Sequence, residues 1–181
     1  MKLFIMGPSG AGTTTLGKKL GSRLGVEQVD SDQLFWQETD PPFIDPREFE
    51  ELHSLFHRAL ETKVIISGDV LNWGLDKELL LKSFTHLIYL YVPWQIREKR
   101  IRAREKARFG SRILEGGDMH TKHEPFLSWA RGYETDLNSG RNLTSQRDFY
   151  SQFQKQGRPC LEFKEEFDLD ELVQLSTDFL R

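Results

Sequence analysis

The chain has 181 residues, 38% hydrophobic, 12% aromatic and 29% charged, the size and balance of one globular domain rather than two. Lysine and arginine number 25 against 28 aspartates and glutamates, a net charge of −3, which argues against a dedicated nucleic-acid-binding domain. The lone cysteine, Cys160, excludes an intrachain disulfide, and the apolar run Leu3–Met6 is too short for a secretory signal or a membrane span, so the expected address is the cytoplasm with no membrane partner.

Short apolar runs separated by longer stretches of helical period are the pattern of a parallel sheet covered by helices. Leu3 to Met6 reads as a buried strand, and Thr14 to Leu24 as a helix with Leu16, Leu20 and Leu24 on one face. Val26 to Val29 is a short second strand. Glu38 to Pro46, with three prolines and three acids, is an exposed loop before a helix from about 47 to 61. Lys63 to Ser67 and His86 to Val92 are the third and fourth strands, and after Pro93 a charged helix runs to about Ala107. Phe109 to Thr121 is irregular. Pro159 to Phe163 is a fifth strand, and Asp168 caps a closing amphipathic helix that runs to Leu180. The fold class that follows is α/β in three layers, a mostly parallel five-stranded sheet flanked by helices.

The strongest motif is Gly7-Pro8-Ser9-Gly10-Ala11-Gly12-Thr13-Thr14-Thr15, between the first strand and the first helix. In that context glycines let successive backbone N–H groups turn around an anion, and the helix N-terminus adds its positive end. The frame of a phosphate-binding P-loop fits at Gly7, Gly12 and Thr14, but Thr13 occupies the lysine slot. The missing charge-assisted bond is worth roughly 1.5 to 3 kcal/mol. Lys18 and Lys19 lie further along the helix and are expected to point away, so a replacement cation must come from another segment.

Residues 97 to 112 hold eight basic and two acidic side chains, a local +6 set against −9 in the remainder. At about 100° per residue, Arg97, Arg100, Arg104 and Arg108 fall within roughly 80° of arc beside Ile96, Ala103 and Ala107, expected to pack inward. Such a row either overlooks the cleft at the strand ends, where arginine forks match phosphate oxygens, or is a solvated basic face. Gly110, Gly116 and Gly117 give the segment that follows the character of a hinged flap. Arg131, Arg141 and Arg147 are further candidates. His120 and His123 with Asp118 and Glu124 read either as a metal site or as a capped helix start.

The second strand ends Val29-Asp30-Ser31-Asp32 and the third Ile66-Ser67-Gly68-Asp69, on the same edge as the glycine loop if the sheet is parallel. Asp30, Asp32 and Asp69 are therefore candidates to hold magnesium or to orient an acceptor hydroxyl, or else to cap and close turns. Trp36 and Trp73 follow the same two termini, as an aromatic wall for a ring substrate or as core.

Together these segments, with Leu90-Tyr91-Val92-Pro93 and the arginine helix, resemble the adenylate-kinase-like P-loop kinases over nearly the whole chain. Gly10 to Thr15, Ala107 to Gly110 and Gly116 to His120 are similar to a lysine-free bacterial branch of that family. The resemblance implies a P-loop NTPase fold, ATP with Mg2+, a single domain over 1–181, an acceptor-binding insertion at about 31–62 and a lid-like segment at about 108–122. By position it implies that Gly7, Ser9, Gly10, Ala11, Gly12, Thr13, Thr14 and Thr15 cradle phosphates, that Thr14 faces magnesium, and that Arg104 and Arg108 are lid arginines; Asp32, at its strand end, is the second magnesium candidate. Asp32, Asp69 and Arg141 join Arg104 and Arg108 as catalytic candidates. Gly68 to Trp73 lacks the stretches by which adenylate and shikimate kinases hold their acceptors, which disfavours AMP and shikimate. The reading that results is an ATP-binding small phosphotransferase acting on an unidentified small-molecule acceptor. A nucleotide-binding sensor or scaffold without turnover is the alternative, and RNA binding through 97–112 a third.

Overall fold

The computed structural model describes residues 1–135 and 140–181. Five strands, β1 (Lys2–Met6), β2 (Glu27–Asp30), β3 (Val64–Gly68), β4 (His86–Leu90) and β5 (Cys160–Phe163), form one sheet in the order β2-β3-β1-β4-β5. Every neighbouring pair is parallel. The helices are α1 (Thr13–Leu24), α2 (Ser31–Phe35), α3 (Phe49–Ala59), α4 (Lys77–Ser83), α5 (Trp94–Phe109), α6 (His120–Arg131), α7 (Leu143–Lys155) and α8 (Leu169–Phe179).

The central strands are buried on both faces, which is why their sequences are unbroken apolar runs rather than alternating ones. Successive side chains still part company: Leu3 and Ile5 enter a core with Leu16, Leu20, Phe163 and Val173, while Phe4 and Met6 enter one with Phe56, Phe84, Phe149 and Phe153. After β1 the chain steps out to β2, returns to β3 beside β1, and then crosses to β4 on the other side. The carboxyl ends of β1, β3 and β4 therefore flank the switch point where open sheets of this kind bind ligands.

The strands read from the sequence are all present, with ends displaced by one or two residues. β2 includes Asp30 but not Val26, and β4 stops at Leu90. The Asp168 carboxylate accepts the N–H groups of Asp170 and Glu171 at 2.9 and 3.3 Å, the cap expected of it. Within 109–121, Gly110–Ile113 form one 3-10 turn, and α6 starts at His120 inside the stretch expected to be irregular.

The inward face of α5 corrects the sequence expectation. Ala103 and Ala107 are exposed, and the buried stripe is Arg97, Ile101, Glu105 and Phe109, on the other flank of the arginine row. Alanines gain little by burial, whereas Ile101 packs on Leu127 and Ala130 of α6. No helix among the described residues is long and apolar enough to cross a membrane.

Candidate active site

The turn from Gly7 to Gly12 joins β1 to α1, with Ala11 N–H donating to Pro8 O at 3.0 Å. Gly10 and Gly12 take φ of 84° and 101°, left-handed values that a side chain would strain. Thr13, in the lysine slot, is 8% exposed. Thr14 Oγ1 donates to Asp30 Oδ2 at 2.7 Å, while Asp30 Oδ1 accepts Asp32 N–H at 3.0 Å and Gln33 Oε1 accepts Asp30 N–H at 3.3 Å. Asp30 thus caps α2 and holds the threonine hydroxyl at once. Asp30, rather than Asp32, is the carboxylate that touches Thr14. A hydroxyl and a carboxylate side by side at a phosphate-binding turn are hard oxygen donors of the kind Mg2+ takes, one or two from protein with the rest from phosphate and water. The residues fit that ion.

A cleft of about 1510 Å³ opens over this turn and is lined by the whole of Pro8–Thr15, by Asp30, Asp32 and Asp69, and by arginines of α5. Sites for one small ligand occupy roughly 300 to 1,000 Å³, so this cleft has room for two side by side.

The arginines divide into distinct roles. Arg141 Nη1 donates to Ser9 Oγ at 3.1 Å, Arg141 Nε lies 3.8 Å from Asp69 Oδ2, and its guanidinium sits 5.9 Å from the Trp129 ring. Arg100 Nη1 donates to Ala11 O at 3.3 Å, with its Nη2 paired to Glu166 at 2.7 Å. Arg104 and Arg108 line the cleft and share Glu105, at 2.9 and 3.9 Å. Arg97, expected in the same row, is instead fully buried. Its Nε donates to Val92 O, its Nη1 to Ser9 O and Ala130 O, and its Nη2 pairs with Glu134, so every face of the guanidinium is satisfied inside the protein. Lys18 departs from expectation in the other direction: one turn beyond Thr14, it reaches the cleft lining. Arg131 is exposed, and Arg147 pairs with Glu162 at 3.5 Å. The basic segment is thus spread between a buried clamp and carboxylate-paired cleft residues, not laid out as one free basic face.

Asp69 is 4% exposed and engaged at both oxygens. Oδ1 accepts Gln146 Nε2 at 2.9 Å and Oδ2 accepts Asn72 Nδ2 at 2.9 Å. Gln146, fully buried on α7, also donates to Gly7 O at 3.4 Å and accepts the Tyr133 hydroxyl at 2.7 Å; that hydroxyl meets Tyr89 Oη at 2.7 Å. Burial pushes the Tyr89 phenol up to about 12 and holds Tyr133 above the usual range, so both serve as neutral hydrogen-bonding groups. Asp69 N–H donates to Ser31 Oγ at 3.0 Å across the β2–β3 ends. Gly68 makes that approach possible, since a Cβ there would fall 1.9 Å from Ser31 Oγ.

Asp32 has no such network among the described residues. Its side chain is open to the water of the cleft but walled in by protein, and this desolvation raises its carboxyl above the ordinary range, with Arg141 opposing and Asp30 adding to the rise.

Trp36 and Trp73 both line the cleft, and both pack as well: Phe35 is edge-on to Trp36 at 4.8 Å and stacked with Trp73 at 5.9 Å. From α5 and the turn after it, Arg108 reaches over the Phe43 ring at 5.1 Å and Arg112 lies 3.5 Å from Asp40, so segment 108–112 touches loop 40–43 across the cleft. No group of three or more histidine, cysteine or acidic residues that could hold a metal is found among the described residues. Near Asp118, α6 starts at His120, whose Nδ1 donates to Ile113 O at 3.1 Å, and His123 is buried; the helix start expected there is present, but Met119 at its N-cap gives no side-chain cap. Sequence reasoning missed Gln146, Asn72 and Ser31; each is an ordinary polar residue by spacing, and only the fold brings it to Asp69.

Sheet order, glycine turn and cleft together define the P-loop kinase fold. The solved structures agree: a shikimate kinase from Bacteroides thetaiotaomicron superposes with a TM-score of 0.56 at 22% identity, covering 99% of this chain and 98% of that one. A deoxyadenosine kinase from M. mycoides gives 0.55 at 18% identity with the same coverage. No family model matches the chain. It is 32% identical over 180 residues, 98% of its length and 96% of the other, to the uncharacterized protein YqaC of Bacillus subtilis, and belongs to the same family.

Proposed function

We propose that the protein is an ATP-dependent small-molecule kinase with a lysine-free phosphate loop. The observation that carries this reading is the position of Arg141, bonded to the loop through Ser9 and paired with Asp69, where it offers the cation that Thr13 does not. In this reading segment 31–62 forms the acceptor side and 108–122 the lid.

Backbone N–H groups of the Gly7–Thr15 turn other than Pro8 would receive ATP phosphates, and the Thr14 hydroxyl and Asp30 carboxylate would hold Mg2+, which would neutralise charge on the phosphates. Arg141, Arg104 and Arg108 supply cations to the transferring phosphoryl group, with Arg104 and Arg108 leaving Glu105 to do so. Asp32, open to the cleft and with its pKa raised by burial, takes the proton of an acceptor hydroxyl as that oxygen bonds to the γ-phosphorus and the bond from the γ-phosphorus to the bridging oxygen breaks, releasing ADP. Asp69 acts through others: with both oxygens engaged, it orients Arg141 and, through Gln146, ties the acceptor side to Gly7. Trp36, Phe43 and Trp73 on the lining favour an acceptor that carries a ring.

One observation favours a second reading, a nucleotide-binding sensor or scaffold that does not turn over: Thr13 stands in the lysine slot. Labelled ATP offered with a panel of nucleoside monophosphates and sugar-like metabolites separates the two. A kinase transfers label to at least one acceptor and loses most of that transfer in Asp32→Asn. A sensor binds ATP, transfers nothing, and binds equally well with Asp32 and Asp69 neutralised.

A further inference from the structure

On α3, away from the cleft lining, His53 and His57 stand one turn apart with their Nε2 atoms 3.1 Å from each other and their ring centroids 4.3 Å apart. Both rings are half-buried, next to the core residues Leu52 and Phe56 of the same helix, and the Phe49 ring lies 5.8 Å from that of His53. Two imidazole nitrogens bound to one zinc at about 2.0 to 2.1 Å are about 3.3 Å apart at the tetrahedral angle. The observed separation is therefore close to the bite of a chelating pair.

The spacing is that of the zinc-binding His-x-x-x-His helix, but the glutamate that serves as general base in hydrolytic sites of that kind is replaced by Ser54. Without a cation, one Nε2 donates to the other; if that proton sits on Nδ1 instead, both rings stay neutral and both Nε2 lone pairs face the same point. We propose that His53 and His57 form a binding site for a divalent cation of the zinc class, in which no hydrolytic chemistry occurs and the pair clips two turns of α3. No further histidine, cysteine or carboxylate completes a cluster there among the described residues, so water fills the rest of the coordination sphere. Imidazole donors select zinc, nickel or copper over magnesium, which separates this site from Thr14 and Asp30. Phe56 packs edge-on to Trp73 at 6.1 Å, so α3 is the helix behind one wall of the cleft.

The test is calorimetric titration of ZnCl2 into the untagged full chain, alongside 15N NMR of its histidine side chains. The expected result is one zinc per chain, at least about tenfold weaker binding in His53→Gln and in His57→Gln, no change in His120→Gln, and zinc-dependent shifts of two Nε2 resonances in the wild type. Equal affinity in the double variant, binding only at millimolar zinc, or unshifted Nε2 signals at stoichiometric zinc would overturn it. The NMR arm uses the wild-type protein and decides even if the variants fold poorly.

Discussion

Asp32 and Asp69 are both carboxylates at strand ends, and their surroundings differ. Asp69 is anchored by Gln146 and Asn72, while among the described residues no hydrogen-bond donor fixes the side chain of Asp32, which faces the cleft. A carboxyl whose folded pKa lies above its unfolded value of about 3.8 stabilises the fold fully only below that value, and the contribution is lost as pH rises through the folded pKa. Ionised Asp32 is therefore a burden at neutral pH. Asp32→Asn is expected to raise Tm at pH 7, with the gain vanishing as pH falls below the unfolded value, and to lower kcat by about 10²- to 10⁴-fold; calorimetry across pH and steady-state kinetics check the two halves. Arg141→Ala is expected to weaken MgATP binding by about one to two decades, the worth of a charge-assisted bond. Thr13→Lys in that background should recover most of the loss, a result that isothermal titration of the single and double variants would show.

At the scale of elements, α5 is held by a residue that its own composition disguises. Arg97 ties Val92 at the helix entrance, Ser9 in the phosphate loop and Ala130 at the end of α6 into one buried knot with Glu134. Arg97→Ala would leave Glu134 and three carbonyls short of a donor, and is expected to cost about 3 kcal/mol or more, read as a fall in the denaturant midpoint. What the sequence revealed of this helix was its charge and length; what it hid was which flank faces inward. Arginine or lysine at almost every second position breaks up the apolar residues, so that Ile96, Ala103 and Ala107 offered a stripe on the wrong flank, and the carbonyls that make Arg97's burial tolerable lie on segments up to 88 residues away. The apolar strands and the Asp168 cap were legible because their causes are local. Five-residue α2 was not, being too short to display a helical period.

Across the whole molecule, the phosphate loop could be read from one nonapeptide because strand, glycines and helix start are adjacent in the chain. The groups that complete the cleft could not: Gln146 and Asp69 are 77 positions apart, and Ser9 and Arg141 are 132 apart. The small net charge of −3 hides the same long-range arrangement, in which cations of α5 and Arg141 meet the carboxylates of the strand ends over one loop. Segment 108–112 and loop 40–43 also touch, through Arg112 with Asp40 and Arg108 with Phe43. Exposed pairs of this kind, which Arg112 makes with Asp40 and with Asp118, contribute little to stability, so Arg112→Ala should lower Tm by no more than about 2 to 4 °C per pair lost. The most direct measurement of the central claim is transfer of label from γ-labelled ATP, with Mg2+, to a panel of nucleoside monophosphates and sugar-like metabolites. Transfer to at least one acceptor is expected, lowered about 10²- to 10⁴-fold by Asp32→Asn and strongly reduced by Arg141→Ala. ATP binding with no transfer to any acceptor, in the wild type and in Thr13→Lys alike, would contradict it.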